Sequence, residues 1–428
     1  MFVNEDLLTN NSYYVASASR SVSYPMLEGV EHADVCVVGG GFAGLSTALE
    51  LAARGYSVIV LEAKQVGWGA SGRNGGQASV GYADEDVILK QLGADDAKRA
   101  WDISVEGMQL LRDRIHQYGI DCSFVPGLLT LAIKKRKVPQ LQAGFEHAQH
   151  AFDYRHLTWI SPEEIGSWID SKRFCAGVYD AYSGHLHPLK YCLGLAEAAA
   201  RQGVRIYENS SVVAIEKGTE PRVKTKGGEV RCKFVVLAGN VYLDSLMPKL
   251  QPRIMPIGSY IVATNPLAPE RADRLIRNRA AAFDTNFVLS YFRVTSDHRL
   301  LFGGRTNYSA TTPINFAESM RKRMLEVFPN LSDTTIEYAW GGFVDLTMNR
   351  APDFGRVGKN IYYLQGFCGH GVSLAGMAGK LVAEAIAGQA ERFDLFTRLR
   401  HKPFPGGQLM RAPALALGML FYRMRDLM

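Results

Sequence analysis

Four apolar residues in a row, Val35-Cys36-Val37-Val38, run into Gly39-x-Gly41-x-x-Gly44. Leu45, Leu49, Leu51 and Ala52 then recur at helical spacing, and a second apolar run, Val58-Ile59-Val60-Leu61, ends at Glu62. Apolar runs without polar alternation predict parallel strands buried on both faces. Strand, glycine turn, helix and strand therefore read as one βαβ unit from Asp34 to Lys64. In such a unit Gly39 makes the tight turn, Gly41 lets backbone approach a pyrophosphate, and Gly44 lets helix pack against strand. The helix N-terminus offers unpaired N–H groups and a positive dipole end. Glu62, 18 residues beyond Gly44, is placed to accept from ribose hydroxyls. The pattern predicts a site for an adenine dinucleotide.

The rest of the chain divides by pattern. Residues 1–32 are polar and Tyr/Ser-rich without a clear period, which predicts an N-terminal arm on the surface. A loop with five glycines in eleven residues, Gly67 to Gln77, follows the βαβ unit and predicts backbone threaded around a ligand. Helical spacing marks 85–118, 189–202, 314–328 and 372–387. Strands are predicted at 128–133, 174–179, 204–208 and 211–216, with a hairpin around Gly227-Gly228. Phe234-Val235-Val236-Leu237, ending in Ala238-Gly239, reads as another central parallel strand. Residues 257–263, 288–295 and 299–304 are β-rich and aromatic, with a turn at Ser296-Asp297-His298, and predict an antiparallel sheet. The strand at 361–365 runs into Gly366-Phe367-Cys368-Gly369-His370-Gly371, a second glycine turn at a helix start.

The fold expected is α/β. A Rossmann-like domain with a parallel central sheet is assembled from 33–85, 180–250 and 345–395. An α+β substrate domain with a mainly antiparallel sheet comes from 86–179 and 251–344. A basic, apolar tail covers 396–428.

Composition narrows the function. The chain has 428 residues, is 47% hydrophobic and 21% charged, and carries a net charge of +6. Over that length the excess is too small for a nucleic-acid footprint. The one dense basic run, Lys134-Lys135-Arg136-Lys137, reads as a solvated turn. Six scattered cysteines without C-x-x-C fit reduced thiols in a cytoplasmic protein. His185-x-His187 lacks a partner set for a metal, and no metal is expected. Within the tail, 412–422 is too short to span a bilayer but apolar enough to lie on one, so peripheral membrane contact is one reading and docking on protein the other.

Spacing alone leaves NAD and FAD open. The extra glycine-rich loop and the second helix start, which can face a flavin ring carbonyl, favour FAD. At these motifs, together with Asn349-Arg350-Ala351-Pro352, the chain resembles the D-amino-acid oxidase/glycine oxidase/sarcosine oxidase superfamily of FAD enzymes over most of its length. Ser12-Tyr13-Tyr14 and Phe404-Pro405-Gly406-Gly407 fit its γ-glutamylputrescine oxidase subgroup. The resemblance implies that Gly39, Gly41, Phe42, Ala43 and Gly44 hold the pyrophosphate, with Glu62 and Ala63 at the ribose. It implies that Ala70, Ser71, Arg73, Asn74, Gly75, Gly76 and Gln77 wrap the flavin side. Val213 would meet adenine through its backbone, Ala238 and Gly239 would line the adenosine half, and Gly369, His370, Gly371 and Val372 would meet the isoalloxazine. Phe343 to Met348 lacks the flavin-linking cysteine of sarcosine oxidases, which implies non-covalent FAD. Ser373 stands where those enzymes carry a carboxylate-binding lysine, which favours an amine whose acid group is remote.

The implied activity is hydride removal from a carbon bearing an amine, with dioxygen or a quinone as final acceptor. The alternative is a flavin-binding subunit of a hetero-oligomeric dehydrogenase, or a quinone-linked, membrane-associated dehydrogenase. Catalytic-site candidates are His370, Tyr260, Tyr291, Arg305 and Trp340. Tyr and Trp faces can hold a cationic amine, and Arg305 can pair with a carboxylate.

Overall fold

The computed structural model describes residues 8–304 and 315–405. Two sheets dominate. The first runs in the order Asp353–Val357, Ile361–Gln365, Gly228–Leu237, Gly29–Val38, Val58–Leu61, Arg205–Tyr207. All neighbours are parallel except the first pair. Val35↔Phe234 and Val38↔Leu237 fix the register of the two central strands. Arg222–Lys224 and Ala214–Glu216 continue antiparallel from Gly228–Leu237.

The central strands are apolar throughout because both faces are covered. Val35 and Val37 pack into one core with the helices Phe42–Ala52, Ala94–Tyr118, Pro188–Arg201 and Gly371–Ile386. Cys36 and Val38 point the other way, into a core with Val223, Val230, Leu243 and Met247. Small residues let the helices close on one another. A Cβ at Gly379 would lie 2.6 Å from Ser46 Cβ.

The second sheet is antiparallel apart from one pair. Its order is Ile336–Thr347, Ile254–Thr264, Leu300–Gly304, Ser290–Val294, Ala281–Asp284, Val125–Ala132, Ala176–His185, Gln77–Ala78. Ala281–Asp284 and Val125–Ala132 are the parallel neighbours. Helix Phe316–Val327 contributes Met320 and Met324 to its core.

Three expectations are corrected. Helix Ala94–Tyr118 does not belong with 86–179. Its Ala97, Ala100, Ile103, Met108 and Leu111 pack into the core of the first sheet. Strand Ala176–His185 lies wholly in the second sheet, so 180–185 leaves the first domain. Nor is the described part of the N-terminal segment, 8–32, a surface arm throughout. Tyr13 and Tyr14 are buried with Ile261, Ala263, Leu301 and Trp340, and Gly29 to Ala33 already pair with Gly228 to Cys232. Two adjacent aromatic rings carry enough apolar area to be drawn into a core without any periodic pattern.

Candidate active site

A cleft of about 1920 Å³ is lined by residues of both sheets. Ligand pockets commonly measure about 300–1,000 Å³, so this one can take a dinucleotide and a second small molecule.

Its first wall begins where Gly29–Val38 ends. Gly39 has φ +115°, and a Cβ there would sit 2.7 Å from the Ala238 carbonyl oxygen. Only glycine allows the two turns to touch in this way. Gly41, the N-cap of helix Phe42–Ala52, offers no side-chain acceptor of its own. The Phe42 N–H donates to Ser71 Oγ at 2.9 Å. Gly39, Gly41, Phe42 and Ala43 line the cleft. Gly44 does not; a Cβ there would fall 1.9 Å from Gly39 O, so it serves packing alone. Glu62 lines the cleft with Ala63. Its Oε2 accepts from Gly40 N at 2.7 Å and its Oε1 from Lys64 N at 3.0 Å. Burial raises the Glu62 pKa, opposed by these two N–H groups.

The glycine-rich loop forms the floor through Ala70, Ser71, Arg73, Asn74, Gly75 and Gln77. Asn74 holds its shape. Its amide donates to Ala70 O at 2.9 Å and its carbonyl accepts from Gly76 N at 2.8 Å. The Arg73 guanidinium stacks 3.9 Å above the Trp68 ring. Gln77 Nε2 donates across to Ala282 O in the second sheet at 2.9 Å. Gly76 lies outside the lining; its φ of +77° and the Leu186 oxygen 2.1 Å from a would-be Cβ make it a packing glycine.

Gly369, His370, Gly371 and Val372 line the same cleft. Helix Gly371–Ile386 also starts without a side-chain cap. Buried Asp345 pins this turn. Its Oδ2 accepts from Gly366 N and, at 2.9 Å, from Phe367 N, while its backbone oxygen accepts from Cys368 N at 3.1 Å. Burial pushes its carboxyl up to about 6 despite those N–H groups. Burial and nearby Arg350 hold His370 down to about 4, so its ring is neutral at pH 7. Ser373 is buried outside the lining and donates to Ser79 O at 2.6 Å.

Four assignments change. Val213 is exposed and its N–H is spent on Lys224 O at 2.8 Å. Ser211 and Val212 line the cleft, together with Ala238 and Gly239. Tyr260 is core, its ring 5.0 Å from that of Phe316. Trp340 is fully buried against Tyr14 and donates its indole N–H to Arg73 O at 3.0 Å. It supports the loop from behind and does not reach the cleft. Arg136 and Lys137, expected in a solvated turn, line the cleft, and Lys137 Nζ donates to Thr285 O at 2.8 Å. Tyr291 does line it, with its hydroxyl 3.0 Å from Ser259 Oγ. Arg305 lies outside the described residues, as does the tail beyond 405. His185 and His187 are occupied structurally, at Arg279 O and at the start of helix Pro188–Arg201.

Sequence reasoning assigned no role to Arg350, Asp345 or Asn240, all of which line the cleft. Arg350 belongs to the Asn349-Arg350-Ala351-Pro352 motif; the other two carry no local signal.

The lining has unmet polar demand. Asn240 Oδ1, Thr285 Oγ1 and His370 Nδ1 are buried without partners, and all three residues line the cleft. Two uncapped helix starts on one cleft, a carboxylate beside the first, and orphaned polar atoms fit a dinucleotide with a polar ring system.

Fold and cleft together fit a dinucleotide-binding protein built on two sheets. Residues 34–385 match the family described as DAO, FAD dependent oxidoreductase, and the chain belongs to that family. FAD is therefore the cofactor, which settles the choice against NAD. The chain is 41% identical to gamma-glutamylputrescine oxidoreductase of Escherichia coli over 97% of its own length and 98% of that protein. It is equally similar, at 41%, to probable oxidoreductase OrdL of Haemophilus influenzae, over 97% of each. Among solved structures, glycine oxidase of Geobacillus kaustophilus superposes with a TM-score of 0.71 at 21% identity, covering 87% of this chain and all (100%) of that one. Such a likeness speaks for the fold alone. Among the described residues no single helix is long and apolar enough to cross a membrane.

Proposed function

We propose that the protein oxidises a C–N bond of an amine whose acid group lies remote from the reacting carbon, a substrate of the γ-glutamylputrescine kind. The observation that carries this is the pair of uncapped helix starts opening on one cleft. The full-length 41% identity to the Escherichia coli protein supports the substrate class. When bound, FAD supplies the acceptor for the hydride leaving the carbon alpha to nitrogen; water then hydrolyses the imine, and the electrons pass to dioxygen or a quinone.

The chain's own residues bind and orient. The start of helix Phe42–Ala52 meets the pyrophosphate. Each Glu62 oxygen has a second lone pair left for a ribose hydroxyl. Val372, at the start of helix Gly371–Ile386, sits at a positive dipole end, which favours nearby negative charge by about 0.3–2 kcal/mol. Neutral His370 presents Nδ1 as an acceptor for the substrate amine and adds no charge against it. Arg350 and, beyond it, Arg136 and Lys137 offer cations to the remote acid group. Tyr291 closes the substrate side from the second sheet. The attachment is non-covalent. Phe343 to Met348 holds no cysteine, and burial pushes the Cys368 thiol in the lining up to about 12, away from the nucleophilic thiolate.

An anaerobic screen tests this. γ-Glutamylputrescine, putrescine, glycine and sarcosine are added to the holoprotein and the flavin absorption is followed. Bleaching by γ-glutamylputrescine ahead of glycine and sarcosine is expected. Bleaching by none of the four would point to a non-catalytic flavin subunit and overturn the proposal.

A further inference from the structure

A second, smaller cavity of about 380 Å³ lies apart from the cleft, lined by Arg253, Asp353, Arg356, Tyr363, Arg400 and His401 among others. Its acids are already matched. Asp353 is buried, and its Oδ1 accepts from Arg253 Nη1 at 3.3 Å and the Tyr363 hydroxyl at 3.1 Å. Its Oδ2 accepts from Gln365 Nε2 at 2.9 Å. Arg356 pairs with Asp394 at 2.7 Å. Arg400 also lines the cavity, is exposed, and has no ion pair among the described residues. With Arg253 paired to Asp353 and Arg356 to Asp394, Arg400 is the arginine of the lining left without an ion pair among the described residues.

His401 adds a second, independent sign. Its side chain is 3% exposed. Nδ1 meets Asn349 Oδ1 at 3.1 Å. Nε2 stands 3.9 Å from Asp353 Oδ1, too far for a hydrogen bond, and has no partner. A buried ring nitrogen without a partner is rare and costly, and it calls for a ligand or water. An arginine and such a nitrogen lining one cavity suit the oxygens of a carboxylate or phosphate.

We infer that the cavity around Arg400 and His401 binds a small oxyanion, a carboxylate or a phosphate, as a site separate from the reaction cleft. The two sites share hydrogen bonds. Asn349 lines the cleft, meets His401 through Oδ1 and donates through Nδ2 to Arg400 O at 3.0 Å. Gln365 also lines the cleft and holds Asp353. Anion binding therefore reaches the residue next to Arg350.

Calorimetric titration of the FAD-loaded protein with inorganic phosphate and, in a parallel arm, with glutarate decides the matter, with sodium chloride at matched ionic strength as the blank. Saturable binding of one anion per chain is expected in at least one arm, and the tighter arm identifies the source. Arg400→Ala should weaken it at least fivefold and Arg400→Glu should abolish it. Arg400 is exposed, so both variants should fold. Arg350→Ala, in the cleft, should leave it unchanged. No binding beyond chloride in either arm would overturn the inference. So would equal affinity in both Arg400 variants, or loss in Arg350→Ala alone, which would move the anion into the cleft.

Discussion

Gly44→Ala tests the nucleotide-binding wall at a residue that touches no ligand. A Cβ at Gly44 would lie 1.9 Å from Gly39 O, 3.1 Å from Gly39 C and 3.2 Å from Val37 Cγ1. The first neighbour is backbone in the turn itself, so no side-chain rotation relieves the clash. Helix Phe42–Ala52 must move off the strand by about 1 Å, and overpacking of this kind costs about 1–3 kcal/mol. The same shift withdraws the helix N–H groups from the pyrophosphate. Losing one hydrogen bond to a charged group costs about 1.5–3 kcal/mol, or roughly 10- to 150-fold in affinity. Apoprotein titrated with FAD, followed by flavin fluorescence, should therefore show at least a tenfold weaker Kd, with a Tm lower by a few degrees. Gly55→Ala is the control. It sits just past the other end of the same helix with φ +84° and nothing within 4 Å of a Cβ. It should lose stability from backbone strain and keep its FAD affinity. Wild-type FAD affinity in Gly44→Ala, or an equal loss in Gly55→Ala, would show that close packing at Gly44 does not set the pyrophosphate contact.

Other predictions follow from the same contacts. Glu62→Gln should weaken FAD about tenfold, because an amide cannot serve both backbone N–H groups and the ribose as a carboxylate does; equilibrium titration reads it. Trp340→Phe leaves Arg73 O without its indole donor and should cost about 1–3 kcal/mol in urea unfolding, with KM for the amine unchanged; a KM effect alone would return Trp340 to the substrate site. Burial holds His185 and His187 down to about 3 and His370 to about 4, from 6.5. The unfolded chain takes up these protons first, so stability is full above about pH 6.5 and is lost as pH falls toward 4. Asp284 and Asp345, pushed up to about 6 from 3.8, act in the opposite sense between those values. Asp345→Asn should therefore steepen the acid loss, and a urea midpoint that rises from pH 6.5 to 4.5 in the wild type contradicts this account.

Local pattern carried the nucleotide half of the molecule. Continuous apolar runs meet two covered faces, and glycines at strand ends meet helix starts, so Val35 to Glu62 and Ile361 to Val372 could be read without a structure. The substrate half could not. Tyr260, Tyr291 and Trp340 are all aromatic residues in one antiparallel sheet, yet only Tyr291 reaches the cleft. Which ring reaches the cleft depends on packing partners such as Phe316 and Tyr14, which lie far away in sequence. Arg136 and Lys137 were hidden for a related reason. A basic run looks solvated until Thr285 and Asn286 are brought against it. Asp345 had no signal at all, since its partners Gly366 and Phe367 come 21 and 22 residues later.

The turns at Gly39–Gly44 and Gly369–Val372 are expected to grip opposite ends of one FAD, and a crystal structure of the holoprotein checks this. Pyrophosphate density is expected at the start of helix Phe42–Ala52 and the isoalloxazine edge at the start of helix Gly371–Ile386, in a single molecule. An isoalloxazine remote from His370, or separate ligands at the two turns, would contradict it.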